Sequence, residues 1–248
     1  MKDRIKNKIR LTINKATTDT GEVLINTKPP HSCSMLIPSM TDPTKQKAQL
    51  QNKGVYEPDL TKMFVDKIRP TDVCVDVGAC WGYYTLLFSE FAKRVFAFEP
   101  HPDSFRILKK NVTWNHCKNV SLIRAGLSNM MWSGPILLYG VTQRGSDTLH
   151  PEHIVEHGLK VDKVHKVRLV TLKEHVVKVD VIKVDVEGHE LQVFEGMEYL
   201  FATNPPRIIV FECFNKKVVR RILKICKLGK YEVKRFGNNY WLERKKDV

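Results

Sequence analysis

The chain has 248 residues, 42% of them apolar, and 41 Lys and Arg against 27 Asp and Glu leave a formal charge of +14. That composition builds one large domain with a real core and excludes wholesale disorder, while no run nears the roughly 18 apolar residues of a membrane span. The charged opening MKDRIKNKIRLTINK lacks a leader's apolar stretch, and Cys33, Cys74, Cys80, Cys117, Cys213 and Cys226 form no Cys-x-x-Cys, so a cytoplasmic protein with reduced thiols is expected, with neither a disulfide framework nor a zinc site.

Residues 1–50 are basic, then rich in Thr, Pro and Ser, and read as an arm or loosely packed lead-in, with the domain proper spanning 51–248. From Tyr56 the pattern changes. Pro58 opens a helix to Ile68, and apolar runs follow at Val73–Val77, Arg94–Phe98, Val120–Ala125, Val179–Val184 and Arg207–Phe211. Helical patterns lie at 81–92, 103–115, 189–202 and 216–228. Strands alternating with helices of this length predict a doubly wound, mostly parallel α/β sheet. Pro135–Tyr139 and Lys166–Thr171 add an antiparallel pair, with 142–165 a polar loop holding one short helix. Tyr231–Arg235 and Tyr240–Glu243 around Gly237 form a closing C-terminal antiparallel hairpin.

The first strand ends in Asp76-Val77-Gly78-Ala79-Cys80-Trp81-Gly82, at the place where an open α/β sheet binds a nucleotide-like ligand. The spacing is neither a dinucleotide fingerprint nor a P-loop. An Asp there repels phosphate and suits an ammonium or hydroxyls. Glu99, at the end of the second strand, can accept both hydroxyls of a ribose diol. A ligand with a ribose and no phosphate is implied, and S-adenosylmethionine fits it. The bland alternative is a tight strand-to-helix turn.

In the fourth strand, Ile182-Lys183-Val184-Asp185-Val186-Glu187-Gly188-His189, alternation puts Lys183, Asp185 and Glu187 on one face at the carboxyl rim. A lysine inside a strand is expensive to bury unpaired, and Asp185 is a near partner. Glu212 closes the next strand at the equivalent place.

These segments resemble the FkbM-type family of S-adenosylmethionine-dependent O-methyltransferases. The resemblance rests on Gly54-Val55-Tyr56-Glu57-Pro58, Val75 to Ala79 with Gly82-Tyr83-Tyr84-Thr85, Phe98-Glu99-Pro100, Asn111 with Asn115, Thr171-Leu172 and Ile182 to Gly188, in order, over about 54–242. It implies a Rossmann-like class I methyltransferase fold and a hydroxyl acceptor. It also implies Glu57, Asp76, Gly78, Ala79, Gly82, Glu99, Pro100, Ser128 and Asp185 as cofactor-binding residues, with Ser128 near the adenine. The chain departs from the family at Cys80-Trp81, at Lys173 and at His189.

Activating a hydroxyl calls for a base, and Asp185, Glu187 and His189 are the candidates, with Lys183 orienting a carboxylate or stabilising an alkoxide and Glu212 a further catalytic-site carboxylate facing the same crevice. Mg2+ on Asp185, Glu187 and Glu212 is an option that the spacing does not demand. His150, His153 and His157 share a helical face that permits a transition metal, though a solvated helix is the plainer reading. Residues 1–10 and 215–248 carry +4 and +9, so an acidic partner would feel the ends. Lys216, Arg220, Lys224 and Lys227 oppose Val218, Ile222 and Ile225 on one helix. The plain reading is a helix packed on the sheet with its charged face in water and Tyr231, Phe236, Tyr240 and Trp241 as core of the closing hairpin; the sharper one is that these charges, interleaved with those aromatics, fit RNA or an acidic membrane surface. RNA ribose 2′-O-methylation is therefore the runner-up, with Asp185, Glu212 and Lys62 or Lys67 in a Lys-Asp-Lys-Glu set whose second lysine is missing from 189–200. A catalytically inactive RNA-binding subunit is the non-enzymatic alternative.

Overall fold

Short runs of Val, Ile and Phe become strands because each can bury both faces of a pleat between helical layers, as the near-continuous burial of the central strands shows. In the computed structural model, which describes residues 22–27, 33–38, 50, 53–130, 132–141, 147–227 and 230–245, they build a seven-stranded sheet. Its strands are β3 (Val73–Val77), β4 (Arg94–Phe98), β5 (Val120–Ile123), β9 (Val181–Val184), β10 (Ile208–Glu212), β11 (Tyr231–Phe236) and β12 (Asn239–Arg244), in the order β11-β12-β10-β9-β3-β4-β5. All neighbours are parallel except β12, which runs antiparallel to β10 and β11. From β3 the chain steps outward to β4 and β5, then returns to lay β9 on the other side. The β3/β9 boundary is thus the topological switch point, where the crossovers diverge and leave a crevice at the carboxyl ends.

Alternation sorts the strands into two cores. Cys74, Val95, Ala97, Val181, Ile208 and Val210 face α1 (Pro58–Lys67), α2 (Tyr83–Phe91) and α3 (Pro102–Trp114). Val75, Val77, Ile182, Val184, Ile209 and Phe211 face α5 (Glu190–Gly196), α6 (Glu198–Thr203) and α7 (Lys216–Ile225). By the same parity Asp76, Lys183 and Glu212 lie on the α1–α2 side.

A second sheet holds β6 (Gly126–Leu127), β7 (Trp132–Val141) and β8 (Val161–Val170), in the order β6-β8-β7. The expected antiparallel pair is there, with Ile136 opposite Val167. β8 starts earlier than expected, inside the supposed loop, because its outer half is exposed and carries no burial period. The short α4 (Pro151–Glu156) is as expected. The helix foreseen over 189–202 breaks at Met197, whose φ of −104° and ψ of 3° separate α5 from α6.

The lead-in differs from expectation. Most of 1–50 lies outside the described residues, but β1 (Glu22–Asn26) and β2 (Ser34–Pro38) pair as an antiparallel hairpin, and Met35 and Ile37 are fully buried. Asn111 explains the docking: its amide donates to the Leu36 and Trp81 carbonyls at 2.9 and 2.7 Å, and its oxygen accepts from the Leu36 N–H at 2.6 Å. Asn115 makes the corresponding pair of bonds with Ser34.

At the other end, α7 buries Val219 and Ile222 and leaves Lys216, Arg220 and Lys224 exposed, with Cys226 buried and Lys227 exposed just past its end, which is the plain amphipathic reading. Tyr231, Tyr240 and Trp241 are core residues of the closing hairpin, so they form no base-stacking platform. All six cysteines are free thiols, and no described helix is long and apolar enough to cross a membrane.

Candidate active site

The β3–α2 turn is shaped by close approach. Gly78 has φ of +79°, and a Cβ there would lie 1.8 Å from the Asp185 carbonyl oxygen, so glycine is the one residue that lets the β3 and β9 exits touch. The Gly78 and Ala79 amides both donate to the Phe98 carbonyl at 3.0 Å, which ties the turn to β4. Gly82 serves otherwise: with φ of +94° it caps α2 and packs on Leu108, and it does not line the crevice.

The crevice opens over this turn. Its apolar walls include Phe98, Pro100, Leu127, Leu138 and Leu149, and its polar edge includes Glu99, Asp185 and Glu187. Glu99 is set by backbone: Cys80 N–H donates to Oε2 and His101 N–H to Oε1, both at 2.8 Å. Burial pushes its carboxyl up to about 8 against those two bonds. A carboxylate fixed by two amides beside apolar walls suits a ribose diol under a flat base.

Asp76 is buried. Thr85 donates to Oδ2 at 2.6 Å, while Oδ1 has no hydrogen-bond partner. Burial raises its pKa, opposed by Lys183 and by the Thr85 bond. A buried, unpartnered carboxylate oxygen is a vacancy for a donor, which a cationic ligand's ammonium can fill.

Around Lys183 a polar cluster assembles on the α1–α2 side. Lys183 Nζ donates to Asp185 Oδ2 at 2.9 Å and lies 4.7 Å from the centre of the Tyr84 ring. Burial would lower its pKa, but Asp185, Asp76 and Glu57 outweigh that and raise it. Tyr84 Oη donates to Glu57 Oε2 at 2.7 Å, and Asn239 Nδ2 to Oε1 at 3.1 Å. Glu57 thus belongs to this cluster, away from the crevice wall. Burial, with the fields of Asp185, Glu187 and Glu57, also raises Glu212. Tyr56, in the field of Glu57, Asp185 and Glu212, rises for the same reasons. Tyr56, Tyr84 and Asn239 are members that the sequence did not single out as site residues; Tyr56 beside Glu57, and Tyr84 in Gly82-Tyr83-Tyr84-Thr85, stood inside quoted motifs, whereas nothing marked Asn239.

The strand face foreseen for Lys183, Asp185 and Glu187 holds for the first two. β9 ends at Val184, and Glu187 takes φ of +49°, a left-handed backbone that costs a non-glycine residue free energy. Its side chain turns to α4, where His153 Nε2 lies 3.4 Å from Oε2, and its carbonyl accepts from Thr148 Oγ1 at 2.6 Å. Glu57 and Cys80 are left-handed too, so three of the five described non-glycine residues with positive φ border this site.

His189 lines the crevice, yet both ring nitrogens are engaged: Nδ1 lies 2.9 Å from His150 Nε2, and Nε2 lies 3.1 Å from Ser128 Oγ. Burial, then His150, lowers its pKa to about 4. It is a fixed neutral wall, which removes it from the candidate bases. His150 in turn meets Glu152 at 2.9 Å, giving a chain Glu152–His150–His189–Ser128 from the surface to the wall.

Among the described residues the one grouping with metal-like spacing is His101, Asp103 and His165; His150, His153 and His157, whose spacing merely permitted a metal, do not form one. His101 Nδ1 accepts from the Asp103 and Ser104 amides at 3.2 and 3.3 Å, so the neutral ring carries its proton on Nε2 and has no lone pair there for a metal. Lys62 and Lys67 pair with Asp66 and Glu243 at exposed positions, so neither lysine completes a Lys-Asp-Lys-Glu set.

The model of the methyltransferase FkbM domain family matches residues 76–231. Hexuronic acid methyltransferase AglP of Haloferax volcanii is 32% identical over 185 residues, 70% of this chain and 70% of its own. Methyltransferase 1 of Beauveria bassiana is 27% identical over 163 residues, 55% of this chain and 65% of its own. A Streptococcus mutans protein assigned as a methyltransferase and solved with SAH has the same fold at 12% identity, with a TM-score of 0.50, over 77% of this chain and 99% of that one.

Proposed function

The chain belongs to the FkbM family of S-adenosylmethionine-dependent methyltransferases, and on that premise we propose that it methylates a sugar hydroxyl. The observation that carries the donor side of this reading is charge placement. Asp76, Asp185, Glu57 and Glu212 surround a single buried lysine at the rim of a crevice built for a phosphate-free nucleoside. A net-negative rim suits a cationic donor and repels polyphosphate. The cofactor supplies an electrophilic methyl on sulfur. Glu99 would hold its ribose, Asp76 its ammonium, and Phe98, Pro100 and Leu127 its base.

The chain's own work is positioning and proton removal. Lys183 occupies Asp185 Oδ2, which makes that carboxylate a fixed element of the rim and a poor base. Glu187, on a strained backbone between the crevice and His153, would take the hydroxyl proton, a role supported by its place on the crevice edge. The sugar acceptor is supported by the 32% identity to a hexuronic acid methyltransferase. Divalent metal is not required in this reading, and activity should survive EDTA.

The test is transfer of a labelled methyl group onto uronic acid glycosides, neutral glycosides and RNA side by side. Label is expected in the sugars. Glu187→Gln should lower kcat by about 100- to 10,000-fold, the usual worth of a general base, with SAH binding intact. Label in RNA alone would overturn the acceptor class.

A further inference from the structure

A second cleft lies between α4, the β9–α5 turn and the β10–α7 turn, and the mechanism above does not use its walls. Its lining includes His150, His153, His157, Glu190, Gln192 and Phe214. We propose that this cleft is the acceptor subsite and that it takes the pyranose ring of an acidic sugar. The inference rests on the sugar-hydroxyl reading above and deepens it.

Continuity with the cofactor crevice is the first ground. Glu187 lines the crevice, its neighbour Gly188 lines the cleft, and His153 of the cleft stands 3.4 Å from the Glu187 carboxylate. His150, also on the cleft wall, bonds the crevice residue His189. A ring seated in the cleft therefore meets the crevice at Glu187, the proposed base.

The wall chemistry is the second ground. Phe214 is 50% exposed, large for an aromatic ring, and His157 stands edge-on to it at 5.4 Å, so one ring face is held ready. Around it stand side chains able to hydrogen-bond sugar hydroxyls: Glu190, the imidazoles and Gln192, whose buried Oε1 has no partner. An apolar face flanked by planar donors and acceptors matches the C–H face and the vicinal hydroxyls of a pyranose.

Charge decides between acceptors. Glu152, Glu156 and Glu190 line the cleft and oppose a phosphate backbone inside it. Burial lifts Glu190 to about 7, so it can serve as donor or acceptor near neutrality. Val218 lines the cleft, and Lys216 and Lys217, outside its lining, are exposed on the same first turn of α7. A ring that sends neutral hydroxyls inward and a carboxylate outward satisfies both.

Steady-state kinetics with methyl glucuronoside and methyl glucoside as probes, with SAH titration in parallel, test this. Phe214→Ala is expected to raise KM about tenfold for both sugars, the loss of one aromatic contact. Lys216→Ala with Lys217→Ala should raise KM for the glucuronoside alone. SAH affinity should stay unchanged in all variants, which also reports that they fold. If the wild type methylates neither sugar, the sugar reading falls. If it methylates them and KM is unmoved by Phe214→Ala and by the double lysine change, the cleft assignment is overturned and the sugar reading stands.

Discussion

The two halves of the site are built by different means. On the cofactor side, the backbone does the positioning: Gly78 lets β3 and β9 touch, and two amides hold Glu99. On the acceptor side, side chains from α4, the β9–α5 turn and α7 converge, and their contacts are imidazole to carboxylate and imidazole to imidazole. A site held by backbone is rigid and specific for one shape. A site held by side chains can be re-specified by a few substitutions without disturbing the fold. One family can thus keep its donor and change its acceptor.

The sharpest way to break this contrast is at Gly78. With a Cβ meeting a backbone oxygen at 1.8 Å, Gly78→Ala should cost about 3 kcal/mol or more of stability, since both backbone strain and overpacking apply. A urea melt measures it, and an unshifted midpoint would mean that the turn is not held by that approach.

Glu99→Gln should keep the fold and weaken SAH binding by about 10- to 100-fold, the worth of hydrogen bonds to a charged acceptor. In the wild type the carboxyl sits near 8, and the ionised form accepts the diol hydroxyls better, so affinity should rise with pH between 7 and 9. The Gln variant should show a flat profile in calorimetric titration.

The smallest effect belongs to His189. Its folded pKa of about 4 lies below its ordinary 6.5, so the unfolded chain takes up a proton that the folded protein refuses. Stability is full above pH 6.5 and falls as the pH drops toward 4. His189→Gln should flatten part of that decline while changing little at neutral pH, and thermal melts from pH 4 to 8 follow it. An unchanged acid slope would show that the imidazole is not held neutral.

Legibility followed the same division. The turn after β3 and the place of Glu99 at the end of β4 were readable because a strand-to-helix turn is a local object whose requirements are written within a few residues. Lys183 with Asp185 was readable because period-two alternation holds for as long as the strand lasts. It misplaced Glu187 because the strand stops at Val184 and a left-handed residue redirects the side chain. His189 was read as a base, since nothing nearby in sequence reveals that Ser128 and His150, 61 and 39 residues away, take both its nitrogens. The β1–β2 hairpin looked like a loose arm because Asn111, 75 residues from Leu36, supplies its anchor.

The sequence by itself therefore determined the α/β order, the parallel sheet, the strand-to-helix turn after β3 and the family. Those depend on periodicity and on local backbone conformation, which act between near neighbours. Only the tertiary structure decided which nitrogens are free, where Glu187 points, and that three histidines and a phenylalanine enclose one cleft. Such facts depend on groups far apart in the chain meeting at hydrogen-bond distance, and no local pattern encodes that meeting.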